Sequence, residues 1–205
     1  MLKEETELLK QSQQGNTEAF GELMRIYQSR IYALCLRTLR KEHDAYDATQ
    51  ESMIKMFRSI RKFRMESSFS TWMYRICVNT CLDMLRKQRR KRVESLDALR
   101  KSGQNIRDLY DLDAAISDKE AQQVLTYLLS RLSISLRQIF VLREMEGLGY
   151  EEIADVMQIP IGTVKSRLYR ARSQMGAQYN RLKEEEQKKG KLRQNEKGVD
   201  DNGHM

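Results

Sequence analysis

The sequence predicts an all-α protein built as two small helical domains joined by an irregular linker, the second a helix-turn-helix domain. Three observations lead there. The 205 residues include one proline and ten glycines, so little interrupts helix propagation. Apolar residues recur at three- and four-residue spacings through most of the chain, the period of a helix face and not of a strand. Finally, YEEIADVMQIPIGTVKSRLYRARSQM, residues 150–175, reads as a short helix, a tight turn and a second helix.

Residues 1–92 are expected to form the first domain. Its opening, MLKEETELLK, is charged and unlike a signal peptide, and no apolar run approaches the roughly 20 residues that span a bilayer. A cytoplasmic chain without membrane insertion is expected. Phe20, Leu23, Met24, Tyr27, Ile31, Leu34 and Cys35 repeat on one helix face. After the polar break Lys41-Glu42-His43-Asp44 the pattern resumes with Ala45, Ala48, Met53, Met56, Phe57 and Ile60, so two antiparallel helices are expected. A third begins near Ser68 and is apolar on two flanks: Phe69, Met73, Ile76, Cys77 and Met84 on one, Val78, Cys81, Leu82 and Leu85 on the other. A thin polar stripe of Arg75, Asn79, Asp83 and Arg86 separates them, and the helix exits through RKQRRKR, six cations in seven residues.

Residues 93–117 scatter Leu96, Leu99, Leu109 and Leu112 among Asp97, Asp108, Asp111 and Asp113, with a break at Gly103 and no sustained period; this is the expected linker, with room for short helical pieces. The second domain is expected over 118–187. There Ile153, Ala154 and Met157 face inward and Gln158-Ile159 forms the turn. Pro160 stands at or next to the first position of the following helix, where a fixed φ and a missing N–H do no harm. Val164, Leu168, Ala171 and Met175 make one narrow inward stripe. Residues 188–205, charged and poor in apolar side chains, are expected to form a disordered tail.

The outer face of that second helix carries Thr163, Lys165, Ser166, Tyr169, Arg170 and Ser173, flanked by Arg167 and Arg172. Arginine and lysine can fork onto guanine in a major groove, and hydroxyls and cations take phosphate oxygens. A solvated basic face is the plainer alternative; the turn, the short preceding helix and the hydroxyl–cation mixture favour DNA. A formal net charge of +8 supplies an attractive field for phosphates. In the first domain Phe63, Phe69, Trp72 and Tyr74 interleave with Arg61, Lys62, Arg64, Ser67, Ser68 and Thr71, just upstream of the basic run. Cations beside aromatic faces suit single-stranded DNA; each ring alone is more often core than platform, and it is the cluster that favours the platform. For the basic run itself, a solvated helix end and an anionic membrane surface are competing readings. Cys77 and Cys81 lie one helical turn apart, but with only Cys35, His43 and His204 besides they fall short of the about four closely spaced ligands of structural zinc. No metal and no cofactor is expected, and the thiols are read as core groups. Neither a nucleophile–base pair nor a phosphate-cradling glycine loop is present, so no enzyme is expected.

The segments DAYDATQESMIKMFRSIRKF and ESSFSTWMYRICVNTCLDMLRKQRRK resemble region 2 of the extracytoplasmic-function (ECF) sigma factors of bacterial RNA polymerase, and LRQIFVLREMEGLGYEEIADVMQIPIGTVKSRLYRAR resembles their region 4. The likeness runs from about residue 19 to residue 179. It implies a subunit whose Asp44, Asp47, Gln50 and Glu51 dock on the β′ clamp helices of core RNA polymerase, with the β flap as a second contact; unaided, these four say only that an acidic face is exposed. It implies that the loop from Phe63 to Phe69, with Asn79, holds a base flipped from the promoter −10 element, and that Arg64, Ser67, Ser68, Arg75, Arg86, Arg89 and Arg90 belong to the same surface. By the same resemblance Thr163, Lys165, Ser166, Arg167, Tyr169 and Arg170 read the −35 element as duplex, the linker threads the polymerase cleft, and an anti-sigma factor is a further partner; with no heptad seam in the sequence, the free chain is expected to be monomeric. Two departures from the family pattern stand out. Met65 stands where glycine is frequent, leaving the loop's backbone path open, and Ile134 and Leu136 stand where polar residues are frequent, as a partner surface or as local core. The alternative function is a helix-turn-helix regulator bound to an operator without polymerase. Such regulators usually dimerise, and the sequence has no heptad seam.

Overall fold

The computed structural model of the protein describes residues 3–99 and 118–200, and all regular structure among them is helical. The first unit contains α1 (Lys3–Gln13), α2 (Thr17–Leu39), α3 (Glu42–Ser59), a 3₁₀ turn (Ile60–Lys62) and α4 (Phe69–Leu99). In α2 the Asn16 carboxamide oxygen caps the start, accepting from the Glu18 and Ala19 N–H groups at 3.0 and 3.1 Å. Arg40, left-handed at φ 69°, ends it. All seven apolar positions expected on α2 are buried. On α3, Ala45, Ala48 and Met56 are buried, as is Ile60 just beyond it, but Phe57 is 48% exposed: it sits at the margin of the core with its ring edge-on to Phe20, centroids 5.1 Å apart. Because α4 packs against both α2 and α3, it needs two apolar flanks, which explains its doubled pattern. Cys35, Cys77 and Cys81 meet in this core; burial pushes the Cys77 thiol up, and a hydrogen bond with Cys35 followed by burial does the same to Cys81.

Helix α1 was not expected from the sequence, since its apolar stripe is reduced to Leu8 and Leu9. Leu9 is nonetheless 1% exposed against α2, and the Gln13 amide donates to the Phe63 carbonyl at 2.6 Å, tying the N-terminus to the loop before α4. At the other end α4 runs to Leu99, past the expected domain edge at residue 92; residues 100–117 of the expected linker lie outside the described residues.

The second unit comprises α5 (Asp118–Arg131), α6 (Ile134–Phe140), a π turn (Val141–Met145), α7 (Tyr150–Met157) and α8 (Ile161–Asp200). Its core joins Leu128, Leu132, Ile139 and Leu142 to Ile153, Val164, Leu168 and Ala171. Val156 is fully buried, whereas Ala154 and Met157, expected inside, are half-buried. Gln158 takes the left-handed conformation at φ 53°, and the Thr163 and Val164 N–H groups return to the Pro160 carbonyl at 2.8 and 3.2 Å, so the proline immediately precedes α8. The unusual apolar pair divides: Leu136 is buried and Ile134 is 38% exposed. Helix α8 continues to Asp200, where a tail from residue 188 was expected to be disordered.

The two units touch through α4 against α7 and α2 against α6. Arg137, 6% exposed on α6, donates through Nη1 to the Thr38 carbonyl at 2.8 Å, through Nε to Leu129 at 2.8 Å and through Nη2 to Leu132 at 3.1 Å. A cation is thereby set among the outward-pointing carbonyls at the C-terminal ends of α2 and α5. No helix among the described residues is long and apolar enough to cross a membrane.

Candidate nucleic-acid interface

The outer face of α8 is displayed by the inner one. Val164, Leu168, Ala171 and Met175 are all buried, which leaves Lys165, Ser166, Tyr169, Arg170 and Ser173 exposed, with Thr163 and Arg167 half-buried at its edges. Tyr169 is 74% exposed, unusual for a tyrosine without a function at the surface. Two of the cations, Lys165 on the face and Arg172 on its flank, are held from neighbouring elements. The Lys165 ammonium lies 5.9 Å from the Tyr150 ring centroid, a ring that Arg143 also covers at 4.9 Å, and Arg172 Nε donates to Glu144 at 3.0 Å. The hydrogen bond and ion pair with Glu144 raise the Arg172 pKa and turn the guanidinium toward the turn before α7, while Arg170 is exposed.

The second candidate surface lies at the start of α4. Ser68 caps the helix, its hydroxyl accepting from the Thr71 N–H at 3.1 Å, which assigns it a structural task in addition to the one expected. Met65 is left-handed at φ 55°, the conformation that explains a preference for glycine there, and is 49% exposed at the loop tip. Of the four aromatics read as stacking surfaces, Phe63, Phe69 and Tyr74 are core residues, at 8%, 1% and 3% exposure. Edge and tilted ring contacts of 5.1–6.0 Å bind Phe63, Phe69 and Trp72 into one cluster, which favours burial over display. Trp72 is half-buried and lines, with Phe63, Arg64, Ser67, Arg75 and Asp155, a cavity of about 360 Å³. Along α4 Asn79 is exposed, Arg86 is paired with Asp83 at 3.0 Å, and Arg89 and Arg90 are exposed.

Sequence reasoning missed the residues that face this surface from the second unit. Asp155 on α7 accepts from Arg75 Nη2 at 2.7 Å, Glu152 accepts from the Thr71 hydroxyl at 3.3 Å, and Glu146 accepts from the Tyr74 hydroxyl at 2.7 Å and from Arg37 Nη1 at 3.2 Å. Burial, and then the Glu146 carboxylate, push the Tyr74 hydroxyl up. Their charges were legible in EMEGLGYEEIAD; their partners, some eighty residues or more away in most cases, were not.

The four acidic and amide positions on α3 share one helix face by their spacing. Asp47 and Glu51 are exposed, Asp44 and Gln50 half-buried, and only loose pairs restrain them, His43 to Asp47 at 3.6 Å and Lys55 to Glu51 at 3.7 Å.

The family model described as Sigma-70 region 2 matches residues 23–91, and that described as Sigma-70, region 4 matches residues 122–175. The chain is 39% identical over 171 residues to the ECF RNA polymerase sigma-E factor of Haemophilus influenzae, covering 80% of this chain and 89% of that one. It is 36% identical over 174 residues to the RNA polymerase sigma-H factor of Pseudomonas aeruginosa, covering 82% and 90%. Among solved structures, the sigma factor RpoE of Bartonella quintana, crystallised in complex with the anti-sigma factor NepR, shares the fold at a TM-score of 0.64 and 25% identity over 78% of this chain and 95% of that one. CnrH in complex with the cytosolic domain of CnrY shares the fold at a TM-score of 0.64 and 20% identity, covering 86% and 97%. With both regions in order and relatives of this identity along four-fifths of its length, the chain belongs to the extracytoplasmic-function sigma factors of the sigma-70 family.

Proposed function

We propose that the chain is a dissociable, non-catalytic specificity subunit that binds core RNA polymerase in the cytoplasm and directs initiation at promoters carrying a −10 and a −35 element. One observation carries the reading: a single chain holds, on separate helical units, a hydroxyl-rich basic helix face on α8 and a loop-and-helix surface with a cavity at the head of α4. Duplex is read by a helix in the major groove, whereas a melted strand needs a pocket and counter-charge. In this reading residues 1–92 dock on polymerase and read −10, 93–117 link, and 118–187 read −35. Asp44, Asp47, Gln50 and Glu51 meet the β′ clamp helices, the second unit meets the β flap, and an anti-sigma factor holds the chain when it is not in use. An operator-binding regulator is not supported, because the relatives that match most of the chain are polymerase sigma factors.

The test is transcription in vitro with core polymerase and a promoter library, alongside Asp47→Lys combined with Glu51→Lys. The parent chain should direct initiation at promoters sharing two spaced elements. The double reversal should weaken core binding by about tenfold or more with native-like circular dichroism, since exposed charges add little to stability but reversal at an interface is costly. Unchanged affinity in a folded variant would remove α3 as the docking face. Tight, sequence-specific duplex binding by a dimer of the chain alone would remove the polymerase reading altogether.

A further inference from the structure

We infer that Gln13, in the last turn of α1, is a positioning residue for −10 reading: its carboxamide fixes the backbone from which the loop between residues 63 and 69 starts, and so sets how sharply that loop discriminates among bases. The inference rests on the reading of that loop as the holder of an extruded base.

The loop has two posts and an exposed span. At its far end Ser68 caps α4, accepting from the Thr71 N–H at 3.1 Å. At its near end the Phe63 ring packs on Phe69 and Trp72, while the Phe63 carbonyl accepts from the Gln13 carboxamide at 2.6 Å. Between the posts Arg64, Met65 and Glu66 are exposed. Ring contacts restrain a side chain without fixing the peptide plane that follows it, and a hydrogen bond to the carbonyl does fix that plane. The plane after Phe63 leads into Arg64 and the left-handed Met65, and Phe63 and Arg64 both line the cavity. Gln13 therefore sets the direction in which the chain enters the cavity wall.

The donor is itself rigidly carried. Gly15, left-handed at φ 99°, ends α1: its N–H returns to the Ser12 carbonyl and the Asn16 N–H to the Gln11 carbonyl, both at 3.0 Å. Asn16 then caps α2, so one residue closes the first helix and the next opens the second. The same glycine seats Arg61, two residues before Phe63: a Cβ at Gly15 would come within 2.5 Å of the Arg61 Nη2. The α1–α2 junction thus meets the approach to the loop at two points, a guanidinium on a glycine and a carboxamide on a carbonyl. Releasing the carbonyl leaves the loop to be ordered when a base binds. A base that seats in the cavity must then order it and one that does not seat need not, so the ratio between bases falls.

The experiment uses the full chain with core polymerase, on promoters randomised at −10 with a constant −35 and on the converse set. Gln13→Met keeps the length and removes the donor, Gln13→Asn withdraws the amide by one methylene, and Gln13→Lys returns a donor. The Met and Asn variants should each lower the ratio between the best and worst −10 bases about fivefold, the scale of one hydrogen bond, with −35 preferences equal to the parent's. The Lys variant should restore the ratio, because its added charge strengthens binding to every sequence alike. Circular dichroism checks the fold of each, and the Asn variant keeps the test open should the Met variant misfold. Weaker transcription with an unchanged −10 ratio would make Gln13 a merely structural residue and overturn the inference, as would a Lys variant that leaves the ratio low. Arg64→Ala with Ser67→Ala separates this from the reading beneath it. If that loop variant leaves −10 preferences untouched, the loop reading fails; if it alters them and the folded Gln13 variants do not, only the positioning fails.

Discussion

The two proposed nucleic-acid surfaces of this chain are made by the same device and differ in how far the other unit covers them. On α8 a narrow stripe of Val164, Leu168, Ala171 and Met175 packs inward and its polar reverse stands open, with Tyr169 at 74% exposure. On α4 two apolar flanks pack inward and only the head of the polar line, Arg75 with Thr71 and Tyr74 beside it, is met by carboxylates from α7 and the turn before it, while Asn79 and Arg86 further along stay exposed. Amphipathicity therefore says which side chains leave a core, not whether they reach solvent. An ion pair as exposed as Arg75–Asp155 is worth about 1 kcal/mol or less, whereas Glu146, with 6% of its side chain exposed, and the buried Arg137 join the two units through enclosed contacts to Tyr74 and to the Thr38 carbonyl.

The comparison breaks most severely if the inner stripe of α8 is removed. Leu168, 1% exposed, should cost about 2–5 kcal/mol of second-unit stability as Leu168→Ala, and −35 reading should be lost with it. Urea denaturation followed by circular dichroism measures this; a variant of full stability would show that α8 does not depend on that packing. Next in size, Arg170→Ala should weaken −35 recognition by roughly 1–3 kcal/mol if the guanidinium contacts a base bidentately. Asn79→Ala should lose about 1 kcal/mol at −10, a single amide contact. Transcription from promoter variants, with and without a template pre-melted across −10, distinguishes them. Pre-melting should relieve any opening defect of Asn79→Ala and leave that of Arg170→Ala in place. Reversed preferences would invert the assignment of the two surfaces.

The smallest effect concerns pH. Burial raises the hydroxyls of Tyr74 and of Tyr27, which bonds the Glu5 carboxylate, above the ordinary tyrosine value of about 10. Below that pH both folded and unfolded chains are protonated there, and the contribution is fully present. Above it the unfolded chain ionises first, and stability declines as pH climbs toward the folded-state values. Urea midpoints measured from about pH 8 to about pH 11 should fall at the alkaline end, and less steeply for Tyr74→Phe. Equal slopes would mean that the contact with Glu146 does not persist in solution.

Helix class, the register of α2, α3 and α8, the turn at Gln158 and the basic face of α8 were all legible in the sequence, because a periodic pattern and a turn residue are local properties that 3.6-residue geometry converts directly into a buried side. Met65 was legible as an anomaly, and its left-handed φ supplies the reason. Helix α1 was not, since one buried leucine makes no period, and neither was the extension of α8 to Asp200. The aromatic cluster around the start of α4 pointed to display although each ring singly suited a core, and tertiary packing gathered Phe63 and Phe69 into a cluster with Trp72 and buried Tyr74. Composition cannot distinguish a platform from a core, because both need the same ring area. Only the tertiary structure decided that Glu146, Glu152 and Asp155 face Arg37, Thr71, Tyr74 and Arg75. A charge in a sequence announces that it needs a partner or water; which one it finds depends on how two separately folding units meet, and no local period encodes that meeting.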